Sequence, residues 1–90
     1  MGTALIKIKI MPKSPKTDLD EIQKKAEKVI KNENGKNPKF EREPIAFGLT
    51  ALITSFAIDE TNSTSIFEEK LTEIPNVSSA EIIDFRRALW

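Results

Sequence analysis

A strand, a helix, two strands, a second helix and a last strand can be read in that order along 90 residues. This order predicts an α+β fold, the ferredoxin-like βαββαβ sandwich, in which two helices cover one face of a four-stranded antiparallel sheet. Three observations carry the prediction. Residues Ala4 to Met11 alternate with period two, two later segments repeat apolar residues at helical spacing, and Leu49 to Ile58 is rich in β-branched and apolar residues. Both helical crossovers are expected to be right-handed. The sheet face away from the helices is left open, so function is expected on that face, on a loop or at a terminus. The scaffold alone decides nothing further.

In the first strand, Ala4, Ile6, Ile8 and Ile10 form one face, and Leu5, Lys7, Lys9 and Met11 the other. Pro12, Ser14 and Pro15 break it. Thr17 or Asp18 caps the helix that follows, Asp18 and Glu21 having the spacing of a capping box. Leu19, Ile22, Ala26, Val29 and Ile30 make its buried stripe, and Asn34-Gly35 suits a left-handed C-terminal cap. Lys36 to Glu43 has few apolar groups apart from Phe40, which predicts a short strand or one near a sheet edge. Pro44 biases Glu43 toward an extended backbone, so a strand is expected to start just after it. Gly48 lets the chain bend or approach closely beside Phe47, and the run to Ile58 reads as a strand with buried neighbours on both sides. After the polar loop Asp59–Ser65, Ser65 and Glu68 offer a second capping box before Ile66, Phe67, Leu71 and Ile74, and Pro75 stops that helix. Val77 to Phe85 is the last predicted strand, with Ala80 and Ile82 on one face and Ile83 and Phe85 on the other.

Composition excludes several chemistries. The chain contains neither cysteine nor histidine, which removes disulfide scaffolds, thiolate nucleophiles, zinc fingers and every Ser-His or Cys-His arrangement. Lysine plus arginine equals aspartate plus glutamate at 14 each, so the strong positive field of a protein held mainly by phosphates is not expected. With only three glycines, Gly2, Gly35 and Gly48, no Gly-rich phosphate loop is present and direct nucleotide binding of that kind is not expected. Asp59, Glu60, Glu68 and Glu69 lack the spacing of a calcium loop, and no metal or cofactor is expected. The N-terminus has no signal-peptide pattern and no segment reaches membrane-spanning length.

From the residues alone, Phe47 is either packed into its own domain or exposed as a contact group. Arg86 and Arg87, beside Trp90, either solvate the chain end or serve as a cationic contact, and they point to opposite faces if the strand continues. Trp90 is a cap over the sheet or a contact residue. Lys7 and Lys9 lie on the outer face of the first strand, and Glu41, Arg42 and Glu43 either orient a partner or keep an edge soluble. The element order also fits an RRM-like single-stranded RNA-binding module with Phe40, Phe47 or Phe56 as stacking groups. Against it, the first strand has no aromatic and the third lacks the basic-Gly-aromatic signature. An allosteric small-ligand module would need a contacting motif that is not found.

Pro44-Ile45-Ala46-Phe47-Gly48-Leu49, then an apolar strand, an acidic loop, a short helix and Val77-Ser78-Ser79-Ala80-Glu81-Ile82 with basic residues near the C-terminus, resembles the elongation factor 1-beta family in its archaeal form. The resemblance covers essentially the whole chain and is strongest over Glu43–Leu52 and Val77–Arg87. It implies a single guanine-nucleotide exchange domain over residues 1–90, cytoplasmic, that promotes GDP release and GTP loading on the GTPase elongation factor 1-alpha. It implies no enzyme in the covalent sense. In the family, the aromatic of the Pro-x-x-aromatic-Gly segment wedges into a pocket of the GTPase, which assigns that role to Phe47, with Ala46 and Gly48 beside it. A lysine next to the C-terminus of the eukaryotic factor reaches toward the magnesium site, and the matching position here is Arg87, with Arg86 adjacent. Arginine in place of lysine, and Ala88-Leu89-Trp90 beyond it, depart from that pattern.

Overall fold

The computed structural model describes residues 2–61 and 63–88. Its elements are β1 (Thr3–Pro12), α1 (Leu19–Asn32), β2 (Lys36–Pro44), a 3₁₀ turn (Ala46–Gly48), β3 (Thr50–Asp59), α2 (Ser65–Thr72) and β4 (Val77–Ala88). The sheet order is β2-β3-β1-β4, and each neighbouring pair is antiparallel. This is the predicted α+β sandwich. β3 and β1 are the central strands because they are the most apolar; β2, the most polar, takes an edge as expected.

The core lies between the helices and one sheet face. Ala4, Ile6, Ile8 and Ile10 of β1 meet Ile22, Ala26 and Ile30 of α1, Phe67 and Leu71 of α2, and Leu52, Phe56 and Ile58 of β3. Phe56 and Phe67 contribute a tilted ring pair with centroids 4.8 Å apart. On β3, four consecutive residues, Ala51 to Thr54, are buried, as a strand with neighbours on both sides requires. Thr54 is the exception in chemistry: its hydroxyl is fully buried and has no hydrogen-bond partner among the described residues.

The Asp18 carboxylate caps α1, accepting from the backbone N–H groups of Asp20 (3.0 Å) and Glu21 (3.4 Å). Glu21 extends instead to Lys25 Nζ at 3.1 Å. At the other end Gly35 N–H donates to the Ile30 carbonyl (2.7 Å) and Asn34 N–H to that of Lys31 (3.2 Å), a Schellman closure with Asn34 as its left-handed residue at φ 68°. Gly35 is needed for space: a Cβ there would lie 2.3 Å from Ile30 Cγ2.

The structure corrects four further expectations. The stretch Glu43–Asp59 is not one strand entered after Pro44; β2 ends at Pro44 and a turn precedes β3. Ser65 does not cap α2, because Thr64 is the N-cap residue and makes no side-chain cap bond; Glu68 reaches the sheet instead, its Oε2 accepting from Ile82 N–H at 3.2 Å. β4 runs on to Ala88. Finally, Phe85 does not share the outer face with Ile83. The register shifts between Lys7 and Ile8, with Lys7 opposite Asp84 and Ile8 opposite Ile82, so Ile83 is a bulge residue. Beyond it, Phe85 returns to the face of Ile6, and Arg86 falls on the open face opposite Leu5.

Candidate partner-binding site

Phe47 sits at the tip of the β2–β3 hairpin. Its backbone has φ 62° and ψ 30°, and Gly48 follows at φ 77°. Leu49 N–H donates to the Ala46 carbonyl at 3.3 Å, and Ile45 N–H to the Leu49 carbonyl at 2.7 Å. Two consecutive residues with positive φ closed by that bond make a turn of the I′ kind, whose twist matches the flanking strands. Such turns favour Asn-Gly; here the first position is phenylalanine, for which left-handed backbone is an outlier.

The ring gains nothing locally from this placement, since Phe47 is 94% exposed. The arrangement therefore combines backbone strain of about 1–2 kcal/mol with an apolar group held out in water. Both features are unfavourable for the isolated domain. An observed outlier of this kind points to function. Around it, Ala46 and Gly48 are exposed and Ile45 and Leu49 half-buried. The β1–α1 loop abuts the tip: Pro15 Cβ lies 3.9 Å from where a Gly48 Cβ would be. The sequence marks Pro15 only as a strand breaker, with no link to the hairpin tip. It predicts only a bend or close approach at Gly48; the hairpin turn is seen in the structure, where the glycine-ending pair stands between two strands.

Arg87 lies at the other end of the sheet. It pairs with Ala4 at the start of β1, whereas the hairpin tip lies beyond the Ile10–Leu52 pair. Counting strand rises places Phe47 and Arg87 on the order of 30 Å apart, along a domain whose long axis is 42 Å. Arg87 Nε is 3.8 Å from Glu60 Oε2 and its side chain is largely exposed. Arg86 faces the opposite side and bonds Asp84 Oδ2 at 3.1 Å. The structure thus keeps Ala46, Phe47 and Gly48 together and separates them from both arginines. Trp90 lies outside the described residues. Arg42 is engaged with Asp20 of α1, and Phe40 and Phe56 pack against the helix-side core, so neither aromatic is a stacking platform on the open face. Among the described residues, no helix is long and apolar enough to cross a membrane, and no group of three acidic side chains gathers for a metal.

A small sheet-and-helix scaffold that spends stability on presenting one aromatic residue is a protein-contact module. Residues 5–88 match the model of the EF-1 guanine nucleotide exchange domain. The chain is 42% identical over 83 residues to elongation factor 1-beta of Haloarcula marismortui, covering 91% of this chain and 93% of that one. It is 39% identical to that of Methanothermobacter thermautotrophicus, over 99% and 100% of the two chains. Against that of Nanoarchaeum equitans the identity is 43%, over 90% and 100%. The chain belongs to the EF-1 guanine nucleotide exchange domain family, the exchange factors of translation elongation.

Proposed function

We propose that residues 1–90 act as one exchange domain in the cytoplasm, bind elongation factor 1-alpha directly and accelerate GDP release by inserting Phe47 into it. The observation that carries this reading is the fully presented, backbone-strained ring at the hairpin tip. A factor that binds the nucleotide-free GTPase more tightly than the loaded form must, by linkage, weaken nucleotide binding by the same factor. Burying one phenylalanine ring contributes roughly 1.5–3 kcal/mol, which corresponds to about a 10- to 150-fold bias toward the empty GTPase if the pocket opens only there. Rebinding is then governed by the nucleotides present, so GTP loading follows from their concentrations.

Arg87 is the second contact in this proposal. Its distance from Phe47 means that the partner is gripped at two ends of the domain, with the guanidinium leaving Glu60 for an anionic or metal-bearing site. The test is release of fluorescent GDP from the cognate GTPase. Wild-type protein is expected to accelerate it and Phe47→Ala to abolish the acceleration with the fold intact; no acceleration by wild type would sink the proposal. Arg87→Ala is expected to lower the maximal rate with affinity largely kept, and a loss of affinity alone would reduce Arg87 to a docking residue.

A further inference from the structure

The open sheet face holds a depression of about 430 Å³ at the end remote from Phe47, lined by Leu5, Lys7, Lys36, Lys39, Ser55, Ala57, Asp84 and Arg86 among others. The strand register arranges these residues in two transverse rows. Arg86, Leu5, Ala57 and Lys36 are successive cross-strand partners, and beside them Asp84, Lys7, Ser55 and Lys39 are too. Leu5, Ser55 and Ala57 form a floor. Lysines of β2 make one wall, and Lys7 and Arg86 the other, the walls standing two to three strand spacings apart, roughly 10–14 Å.

Two backbone irregularities, one on each edge strand, create this charge. Lys36 pairs with Ala57 and Lys39 with Ser55, so β2 spends three residues where β3 spends two; Asn37, at φ 54°, makes the bulge. Without it Lys36 and Lys39 would project to opposite faces. The Ile83 bulge likewise turns Arg86 onto the open face. Bulges re-aim side chains and are features with a purpose more often than defects. Toward the Phe47 end the same face turns acidic, with Glu81 opposite Lys9, and Glu41 and Glu43 opposite Ile53 and Ala51.

We propose that this cationic channel binds the phosphodiester backbone of single-stranded RNA, independently of sequence and at a site separate from the hairpin tip. Lys7, Lys36, Lys39 and Arg86 line it against Asp84 alone; Asp84 already pairs with Arg86 at 3.1 Å, which leaves three lysine charges to complement a uniformly anionic chain. The floor holds no aromatic ring for stacking and little to read bases with, so the contact is to phosphates. A protein partner is disfavoured because the floor's one large outward-facing apolar group, Leu5, is half-exposed and flanked by the charged Lys7 and Arg86. The acidic half of the face confines the RNA to the end remote from Phe47, on the face opposite the one to which the register assigns Arg87.

Binding of a fluorescein-labelled 12-nucleotide oligouridylate, followed by anisotropy at several salt concentrations, tests the proposal. For single strands, affinity varies as about the −0.7 power of salt per phosphate neutralised, so each lost contact lowers it about fivefold at about 0.1 M salt. The exposed pair changed to Lys36→Gln/Lys39→Gln is expected to bind about 25-fold more weakly, with a salt slope shallower by about 1.4. Lys36→Arg/Lys39→Arg should retain binding, and neither pair should alter the melting temperature. Undetectable RNA binding by wild type, or an unchanged affinity in the glutamine pair, overturns the proposal. So does a fall in GDP-exchange rate without any change in RNA affinity, which would make the face a protein-docking surface.

Discussion

Replacing Phe47 by asparagine separates the two unfavourable features of the hairpin tip. The ring is 94% exposed, so of the roughly 150–250 Å² that a phenylalanine can bury only about 10 Å² is hidden, worth about 0.3 kcal/mol at 25 cal/mol per Å². Against that small loss stands the left-handed backbone at φ 62°, which disfavours an ordinary L-residue by about 1–2 kcal/mol but suits asparagine before glycine. The net expectation is a domain about 1 kcal/mol more stable, or a melting temperature higher by about 4–8 °C for a domain of this size, together with loss of GDP-release activity. Phe47→Ala keeps the strain and loses the ring, so it should lose activity with an almost unchanged melting temperature. Calorimetry and fluorescent-GDP release on the same preparations decide the matter. If Phe47→Asn melts lower than wild type, the ring is supporting its own fold and the reasoning fails.

Three further outcomes follow from the packing. Thr54→Val removes a buried hydroxyl that has no partner among the described residues at nearly constant shape, and should raise stability in urea by about 1 kcal/mol; a loss would mean that the hydroxyl is satisfied in solution. Glu68→Ala strips the acceptor from the Ile82 amide beside the bulge, which should lower stability by about 1–2 kcal/mol and speed hydrogen exchange at Ile82, whereas unchanged exchange there would exclude the contact. Asp59 is held below its ordinary 3.8 chiefly by the Thr61 backbone N–H and then by the Thr61 hydroxyl. A depressed carboxyl contributes stability above its unfolded value and loses it as pH falls through the folded one. NMR titration should place Asp59 below 3.8 and show it rising in Thr61→Val, while a wild-type midpoint at or above the ordinary value would refute the turn.

Much of this was legible because local chemistry and tertiary role agreed. The β1 alternation and the α1 stripe each have one low-energy solution; the cap is narrowed to Thr17 or Asp18, and the scarcity of apolar residues in Lys36–Glu43 leaves β2 either short or at an edge. Where a polar side chain has a choice, spacing alone misleads: Glu68 has the spacing to cap α2, yet a nearby β4 amide claims it. Phe47 was named from the family resemblance, since its residues alone left core packing open; its exposure and its strained backbone came only from the structure.

By itself the sequence determined the element order, the buried faces of β1 and α1, and the absence of thiol, imidazole and phosphate-loop chemistry, because these depend on residue identity and on spacings of a few positions. Only the tertiary structure decided which way residues beyond a bulge point. A single extra residue at Asn37 or Ile83 reverses the face of everything after it relative to a regular alternation. A chain with balanced charge overall thereby carries a positive half and a negative half on one sheet face. The distance between Phe47 and Arg87 is of the same kind, set by strand pairing and not by the 40 positions that separate them in sequence.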